Sequence, residues 1–173
     1  MSYKIFVINP GSTSTKVALF EDTTAVFRKT IEHSAEELSA FARVHDQYPY
    51  RLETILKSVE EAGFSLQGTD CFVGRCGSTR PCAGGVYRIT EQVLKDTANH
   101  PIVHPAMLGS WITHALAERF GGEELFVNPP DTDEFQDVAR LTGFSEVYRT
   151  SNVHMLNQKE TAICAAKELG RAY

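Results

Sequence analysis

The hydrophobic pattern of the first thirty residues predicts three consecutive β-strands. Residues 4–8 form a continuous apolar run, which is typical of a buried strand. A turn cluster begins at Asn9, and a second strand-like run covers residues 16–20, so the two runs predict a β-hairpin with a hydroxyl-rich turn. Residues 25–31 alternate with a period of two and predict the third strand.

Further along the chain, strand-like runs alternate with helical patterns. Ser34 and Glu37 form a capping-box pattern, which predicts that a helix begins there. After a break at residues 48–50, apolar side chains recur at helical spacing over 52–62, and the strongest helical stripe covers 108–120. Shorter helices are predicted at 90–94, 134–141 and 156–169, and short strands at 71–74, 86–89 and 124–127. This alternation predicts an α/β fold with a sheet covered by helices on both faces.

Composition and charge exclude several classes of protein. With 173 residues, 42% hydrophobic and 23% charged, the chain has the size and composition of one ordinary globular domain. The formal net charge of -5 is opposite in sign to that of a typical nucleic-acid-binding protein, so no nucleic-acid polymer is expected as a partner. No apolar run approaches the roughly 18 residues of a membrane span, and no signal peptide is recognisable, so we expect a cytoplasmic protein without a membrane partner.

Polar clusters follow three of the predicted strands, at residues 9–16, 75–80 and 128–131. Open α/β sheets place ligands beyond their strand ends, so these clusters predict one shared site. The turn from Asn9 to Lys16 offers small residues, the hydroxyls of Ser12 and Ser14, and a cation, a combination that suits phosphate. It is not a Walker A loop, because a strand rather than a helix follows. Taken alone, the segment is better explained as an ordinary Asn-Pro-Gly turn.

The individual charged residues leave alternatives open. Arg75 directly follows an apolar strand and has the planar fork that suits a carboxylate or phosphate, and Arg80 offers a second positive group. Each is equally compatible with a solvated loop arginine. His104 and His154 are more often ordinary surface or hydrogen-bonded histidines than catalytic groups. Asp131 belongs to an acidic segment that reads either as a solvated helix start or as part of a metal site.

Read together, the motifs carry a resemblance to a known family. They are the hairpin Asn9-Pro10-Gly11-Ser12-Thr13-Ser14-Thr15-Lys16, the loop Gly74-Arg75-Cys76-Gly77, the segment His104-Pro105-Ala106-Met107-Leu108-Gly109 and the segment His154-Met155-Leu156-Asn157-Gln158-Lys159. In this order they resemble the acetate and butyrate kinase (acetokinase) family. The hairpin is more similar to the butyrate kinase form, because acetate kinases have alanine after the asparagine.

The resemblance implies a fold, a reaction and roles for the matching residues. The implied fold is the ribonuclease H-like, actin-type ATPase domain, with a mixed sheet flanked by helices. The implied reaction transfers the γ-phosphoryl group of ATP, with Mg²⁺, to butanoate or a similar short-chain acid. Arg75, His104 and His154 would be catalytic, and Arg75 with Arg80 would bind the acid. Asn9, Ser12, Ser14 and Lys16 would bind phosphate.

Two departures from the family pattern shape the expectation for this chain. Asn128 stands where the family has a metal-associated aspartate, so Asn128 and Asp131 are the candidate metal residues. The family also has a second domain with the adenosine-binding motifs, and we expect residues 1–173 to form the N-terminal domain alone, which would bind nucleotide only with a second domain. The family implies dimerisation, with an interface largely in that second domain. The alternative is a non-catalytic binding or regulatory module on the same scaffold.

Overall fold

The computed structural model describes residues 2–77, 79–101 and 103–173. The strands are β1 (Lys4–Pro10), β2 (Ser14–Glu21), β3 (Thr24–Glu32), β4 (Cys71–Gly74), β5 (Val86–Arg88) and β6 (Glu123–Val127). The helices are α1 (Ala35–Ser39), α2 (Tyr48–Glu61), α3 (Glu91–Asn99), α4 (Leu108–Phe120), α5 (Asp137–Arg140) and α6 (Met155–Glu168), with 3₁₀ turns at Val44–Gln47 and Pro105–Met107. Ser78, in the polar loop predicted after β4, lies outside the described residues.

The strands form one mixed sheet in the order β3-β2-β1-β4-β6-β5. β1, β2 and β3 are antiparallel neighbours, whereas β1, β4 and β6 run parallel to one another and β5 is antiparallel to β6. Parallel neighbours require crossover connections, which here contain α2 and α4. The predicted mixed sheet flanked by helices is therefore confirmed. Because β1, β4 and β6 are parallel, their carboxyl ends lie at one edge of the sheet.

The hydrophobic core lies between one face of the sheet and the helices α2 and α4. Phe6, Ile8 and Phe72 of the sheet are fully buried, as are Ile55 of α2 and Ile112 of α4. Alternate residues of a strand point to opposite faces, so this pattern places the even-numbered residues of β1 in the core. α3 extends the same layer over the β5–β6 side, where Val93 and Leu94 pack against Cys76, Ile89 and Phe126.

The opposite face of the sheet carries an open groove. It is lined by Val7, Ala18 and Phe20 at its base and by charged and polar residues of β2 and β3 at its rim. In the part of the chain that the structure describes, α2 and α4 pack against the core face of the sheet and not against the face with the groove. Over β1, β2 and β3, α2 and α4 therefore cover one face of the sheet, and the other face is open at this groove.

The predicted helices differ from the observed ones mainly at their ends. α2 begins at Tyr48 and includes Pro49, although residues 48–50 predicted a break. Proline is tolerated in the first turn of a helix, because the N–H that it lacks has no partner within the helix there. The helix predicted at 134–141 is a single turn, Asp137–Arg140. α1 begins as predicted, with the Ser34–Glu37 capping box formed.

A buried polar chain connects the β1–β2 hairpin to α2. Arg51 is fully buried, and its Nη1 donates to the hydroxyl of Thr15 at 3.0 Å. The Thr15 hydroxyl lies 2.8 Å from His33 Nε2, and His33 Nδ1 lies 3.1 Å from the Tyr50 hydroxyl. Arginine can only donate, so Thr15 accepts from Arg51 and donates its own hydrogen to Nε2 of a neutral His33. Burial, with the positive charge of Arg51, lowers the pKa of His33 below 6.5.

This network predicts that stability falls below neutral pH. Because the pKa of His33 is lowered in the folded protein, the unfolded chain binds more protons between the two pKa values. The contribution is therefore fully present above about pH 6.5 and is lost as the pH falls through the folded pKa. We expect the thermal midpoint of the native protein to decrease more between pH 7.5 and 5 than that of His33→Gln, as measured by circular dichroism. Equal decreases in the two proteins would contradict this assignment.

Candidate functional site

A cleft opens at the sheet edge where β1, β4 and β6 end. It consists of two adjoining hollows that share Arg75 and His154, and the larger has a volume of about 370 Å³. Asn9 and Asn128 line the first hollow, and the second contains His104 and Asp131. The structure thus brings together six of the predicted site residues, namely Asn9, Arg75, His104, Asn128, Asp131 and His154.

Arg75 is positioned by two backbone contacts. Its N–H donates to the carbonyl of Ile8 at 2.7 Å, which continues the β1–β4 pairing by one residue. On the other side, Gly109 of α4 lies so close that an added Cβ would be 1.9 Å from the Arg75 carbonyl oxygen. Within the described residues, the only hydrogen bond of the guanidinium is from Nη1 to Asn9 Oδ1, a long contact of 3.4 Å. Most of its N–H groups are therefore available to an anionic ligand.

His104 is held as a neutral hydrogen-bond donor. It caps the 3₁₀ turn before α4, and its Nδ1 accepts from the Ala106 N–H at 3.1 Å. Burial, and then the electrostatic influence of Arg75 and His154, lower the pKa of His104. Since Nδ1 accepts, the proton of the neutral ring is on Nε2, which can donate to an oxygen of a ligand.

Hydrogen bonds of neighbouring residues position His154 at the cleft. The Val153 N–H donates to the carbonyl of Pro130 at 2.9 Å, and the Ser151 hydroxyl donates to the carbonyl of Thr132. These bonds attach the segment before α6 to the loop that follows β6. The side chain of His154 is exposed at the mouth of the cleft.

The β1–β2 turn lies beside the cleft, with Lys16 paired across the hairpin with Asn9. Ser12 and Lys16 are exposed, and Ser14 is half-buried. Every carbonyl from Gly11 to Ser14 accepts a hydrogen bond from the protein itself. By contrast, the N–H groups of Ser12 and Thr13 have no acceptor among the described residues. Free backbone donors in a turn form a binding place for an anion.

Arg80 lies apart from this cleft. Its guanidinium donates to both oxygens of Asp96 on α3, at 2.7 and 3.0 Å, and its side chain is 70% exposed. Arg80 is not among the residues that line either hollow. The structure therefore places it in a surface ion pair, the alternative that its loop position left open.

The two candidate metal residues are both hydrogen-bonded in the structure. Asn128 has a left-handed backbone, with φ 41°, and its Oδ1 accepts from the Gly85 N–H at 2.8 Å. Asn tolerates this conformation better than most residues. Asp131 Oδ2 accepts from the N–H and hydroxyl of Thr79, at 2.9 and 3.2 Å. The described residues contain no group of three or more His, Cys, Asp or Glu side chains suited to a metal ion.

Sequence reasoning gave no individual role to three residues that shape the site, namely Arg51, Thr79 and Gly109. Arg51 lies four residues before Ile55 on the apolar stripe of α2, and a charged residue on such a stripe is a signal that could have found it. The Thr79–Asp131 contact spans 52 residues of sequence, and no local pattern indicates it.

Known proteins provide an independent comparison. The chain is 41% identical over 174 residues to butyrate kinase 2 of Clostridium acetobutylicum and 37% identical over 174 residues to a probable butyrate kinase of Listeria innocua. Both alignments cover 100% of this chain and 49% of the relative. The chain is therefore homologous over its whole length to the butyrate kinases and spans about half the length of the curated relatives it matches. No protein-family model matches it.

A solved structure confirms the fold. The crystal structure of the Porphyromonas gingivalis acetate kinase superposes with a TM-score of 0.67 at 16% sequence identity, over 99% of this chain and 50% of that protein. At this identity the likeness concerns the fold alone, and it confirms the predicted actin-type ATPase fold.

No helix among the described residues has the length and apolar character of a membrane span.

The close approach of α4 to the Arg75 loop predicts the effect of enlarging Gly109. In Gly109→Ala, the new methyl group would overlap the Arg75 carbonyl, so α4 and the loop must separate. We expect a loss of roughly 1–3 kcal/mol in the free energy of unfolding, measured by urea denaturation. Gly143→Ala is the matched control, because nothing lies within 4 Å of its Cβ position. A loss in Gly109→Ala no larger than in Gly143→Ala would contradict the packing described here.

Proposed function

We propose, from the homology of this chain to the butyrate kinases, that it forms the acid- and phosphate-binding half of a carboxylate kinase. The observation that carries the proposal is the convergence of Asn9, Arg75, His104 and His154 on one cleft, although they come from four separate segments of the sequence. In such a kinase, the γ-phosphoryl group of ATP passes to the carboxylate of a short-chain acid and forms an acyl phosphate.

In this proposal Arg75 binds the carboxylate of the acid. Its guanidinium has donors free for a bidentate contact, and apolar atoms of Ala106, Pro130 and Val153 line the adjoining hollow, where a short alkyl chain would be accommodated. Butanoate is the substrate that the homology supports best. A hydrophobic pocket distinguishes acids that differ by one methylene by only about 1–3 kcal/mol. An acid one methylene shorter or longer than butanoate therefore belongs to the same substrate class.

The phosphoryl group would lie between the acid and the β1–β2 turn. Asn9, Ser12, Ser14 and Lys16 would contact the phosphates of the nucleotide, while Nε2–H of neutral His104 and the imidazole of His154 donate to the oxygens of the group in transfer. Phosphoryl transfer depends mainly on positioning and on stabilising the charge that spreads over these oxygens. Arg75 would contribute to both, because it binds the acceptor and carries a permanent positive charge.

The cofactors of the proposed reaction are ATP and Mg²⁺. Asp131 Oδ1, which accepts no hydrogen bond from the described residues, offers with Asn128 too few ligands to bind a metal ion alone, but it suits an ion held largely by nucleotide phosphates and water. When bound, Mg²⁺ would neutralise part of the phosphate charge. We further propose that residues 1–173 correspond to the N-terminal domain of such a kinase, and that a second domain would supply the adenosine contacts and the main dimer interface.

A second candidate function is a binding or regulatory module on the kinase scaffold. The observation that favours it is Asn128, which carries no charge at the position where the family has an aspartate and whose oxygen is already bonded to Gly85. Such a module would bind phosphate or a short-chain acid at the same cleft without transferring the phosphoryl group.

A reconstitution assay tests the two candidates. We expect acyl phosphate, trapped with hydroxylamine, from ATP, Mg²⁺ and butanoate when the chain is mixed with a separately produced second domain of a butyrate kinase, and negligible turnover from the chain alone. Arg75→Ala should reduce the turnover of the mixture by on the order of 10³-fold or more, because it removes both acid binding and charge stabilisation.

Arg80→Ala is the matched control in this assay, since Arg80 belongs to the same loop but is paired with Asp96 outside the cleft. We expect it to retain turnover within about threefold, as is usual for loss of a surface ion pair. Association of the two polypeptides without turnover would favour the module. Restored turnover in Asn128→Asp would then identify the missing charge as the cause.

A further inference from the structure

Arg51 is a buried cation without an acidic partner. Its side chain is fully buried, and within the described residues none of its hydrogen bonds is to a carboxylate. Its partners are the amide oxygen of Gln47, the hydroxyl of Thr15 and carbonyl oxygens of the β1–β2 turn. Buried charges in proteins are normally paired, because burial of an isolated charge is costly.

The contacts of Arg51 determine which way the turn presents its polar groups. Nη1 donates to the carbonyl of Gly11 at 2.9 Å and more weakly to that of Ser14 at 3.4 Å, and Nη2 donates to the carbonyl of Ser12 at 3.1 Å. The backbone N–H of His33 donates a hydrogen bond to the carbonyl of Thr13, the fourth carbonyl of the turn. The negative ends of these peptide dipoles are thus directed into the protein, whereas the N–H groups of Ser12 and Thr13 have no acceptor in the described structure.

The carbonyls of this turn accept hydrogen bonds on its buried side, where the positive charge of Arg51 also lies. Such a turn is suited to bind an anion on its exposed side. We propose that Arg51 is a positioning residue for phosphate binding at the β1–β2 turn, where it fixes the turn carbonyls inward and leaves its own positive charge to be balanced by the bound phosphate. The inference rests on the proposed function in that it takes this turn as the phosphate site. Arg51 itself does not contact the phosphate, because it lies on the buried side of the turn.

Gln47 provides a variant that separates charge from structure. The Gln47 Oε1 accepts from Nε and Nη2 of Arg51, at 3.1 and 2.9 Å. In Gln47→Glu a carboxylate of nearly the same shape can accept both bonds, so the guanidinium stays in place while its charge is neutralised. A purely structural Arg51 would be unaffected or stabilised by this change, whereas an Arg51 that attracts phosphate would lose affinity for it.

The experiment is a titration of the 173-residue chain with sodium tripolyphosphate, followed through the ¹H–¹⁵N resonances of Ser12 and Thr13. We expect these two amides to shift on binding. In Gln47→Glu the apparent Kd should rise by about three- to tenfold, with no decrease in the thermal midpoint. The matched control is Gln67→Glu, an exposed glutamine near the other end of β1, which should change the Kd by less than about twofold.

A second pair of variants separates the charge of Arg51 from its fork of donors. Arg51→Lys keeps the charge but not the fork of donors, and Arg51→Met removes both. We expect tripolyphosphate to bind Arg51→Lys more tightly than Arg51→Met, with the Met variant weakened by about tenfold or more. Because Arg51→Met also leaves buried acceptors unpaired, its thermal midpoint is measured alongside, and the Gln47→Glu result stands independently of it.

Each outcome bears on a separate claim. If Ser12 and Thr13 respond in the native chain but Gln47→Glu binds tripolyphosphate as tightly as the native chain does, the inference about Arg51 is overturned and the phosphate site remains. Equal affinities of Arg51→Lys and Arg51→Met would also overturn it. If the two amides do not respond in the native chain, both the inference and the proposed phosphate position fail, while the acid site at Arg75 is still judged by the reconstitution assay.

Discussion

The parallel pairing of β1, β4 and β6 determines where the cleft forms. In-register pairing of Ile8 with Gly74, and of Gly74 with Phe126, brings the ends of these strands to one edge of the sheet. Asn9 is the second-last residue of β1, and Arg75 and Asn128 directly follow β4 and β6, so they meet although they are far apart in sequence. The pairing in turn depends on the packing of α4, whose Gly109 allows contact with the Arg75 backbone. Strand register and helix packing together therefore form the cleft.

The electrostatics of the cleft differ from those of the whole chain. The protein has a net charge of -5, yet Arg75, His104 and His154 line the cleft and Arg51 lies behind the adjoining turn. Asp131, a carboxylate that lines the second hollow, is bonded to Thr79. The charges of Arg75 and Arg51 are thus concentrated at one edge of the sheet, which suits binding of an acid and phosphates next to each other. Neutral His104 adds a donor without adding a further charge to the ones already there.

Much of the fold could be predicted from short segments of sequence. The strands at residues 4–8 and 16–20 and the helix at 108–120 were predicted because their apolar spacing repeats over neighbouring residues, and the structure contains all three. The break predicted at residues 48–50 was wrong, since proline at the start of a helix looks locally the same as proline that ends one. The groove on one face of β1, β2 and β3 was not predicted, because local patterns do not indicate which surfaces pack together.

The sequence by itself determined the strands, the polar turns at their ends and a set of motifs that resemble those of the butyrate kinases. Each of these features depends on residues that are contiguous in the sequence, so their chemistry and spacing predict it directly. Only the tertiary structure decided that Arg75 belongs to the cleft and Arg80 to a surface ion pair with Asp96, although both occur in one loop. It also decided the role of Arg51, which depends on contacts across 36 to 40 residues. The physical reason is that burial and pairing are properties of the packed chain, and they join residues that no local pattern connects.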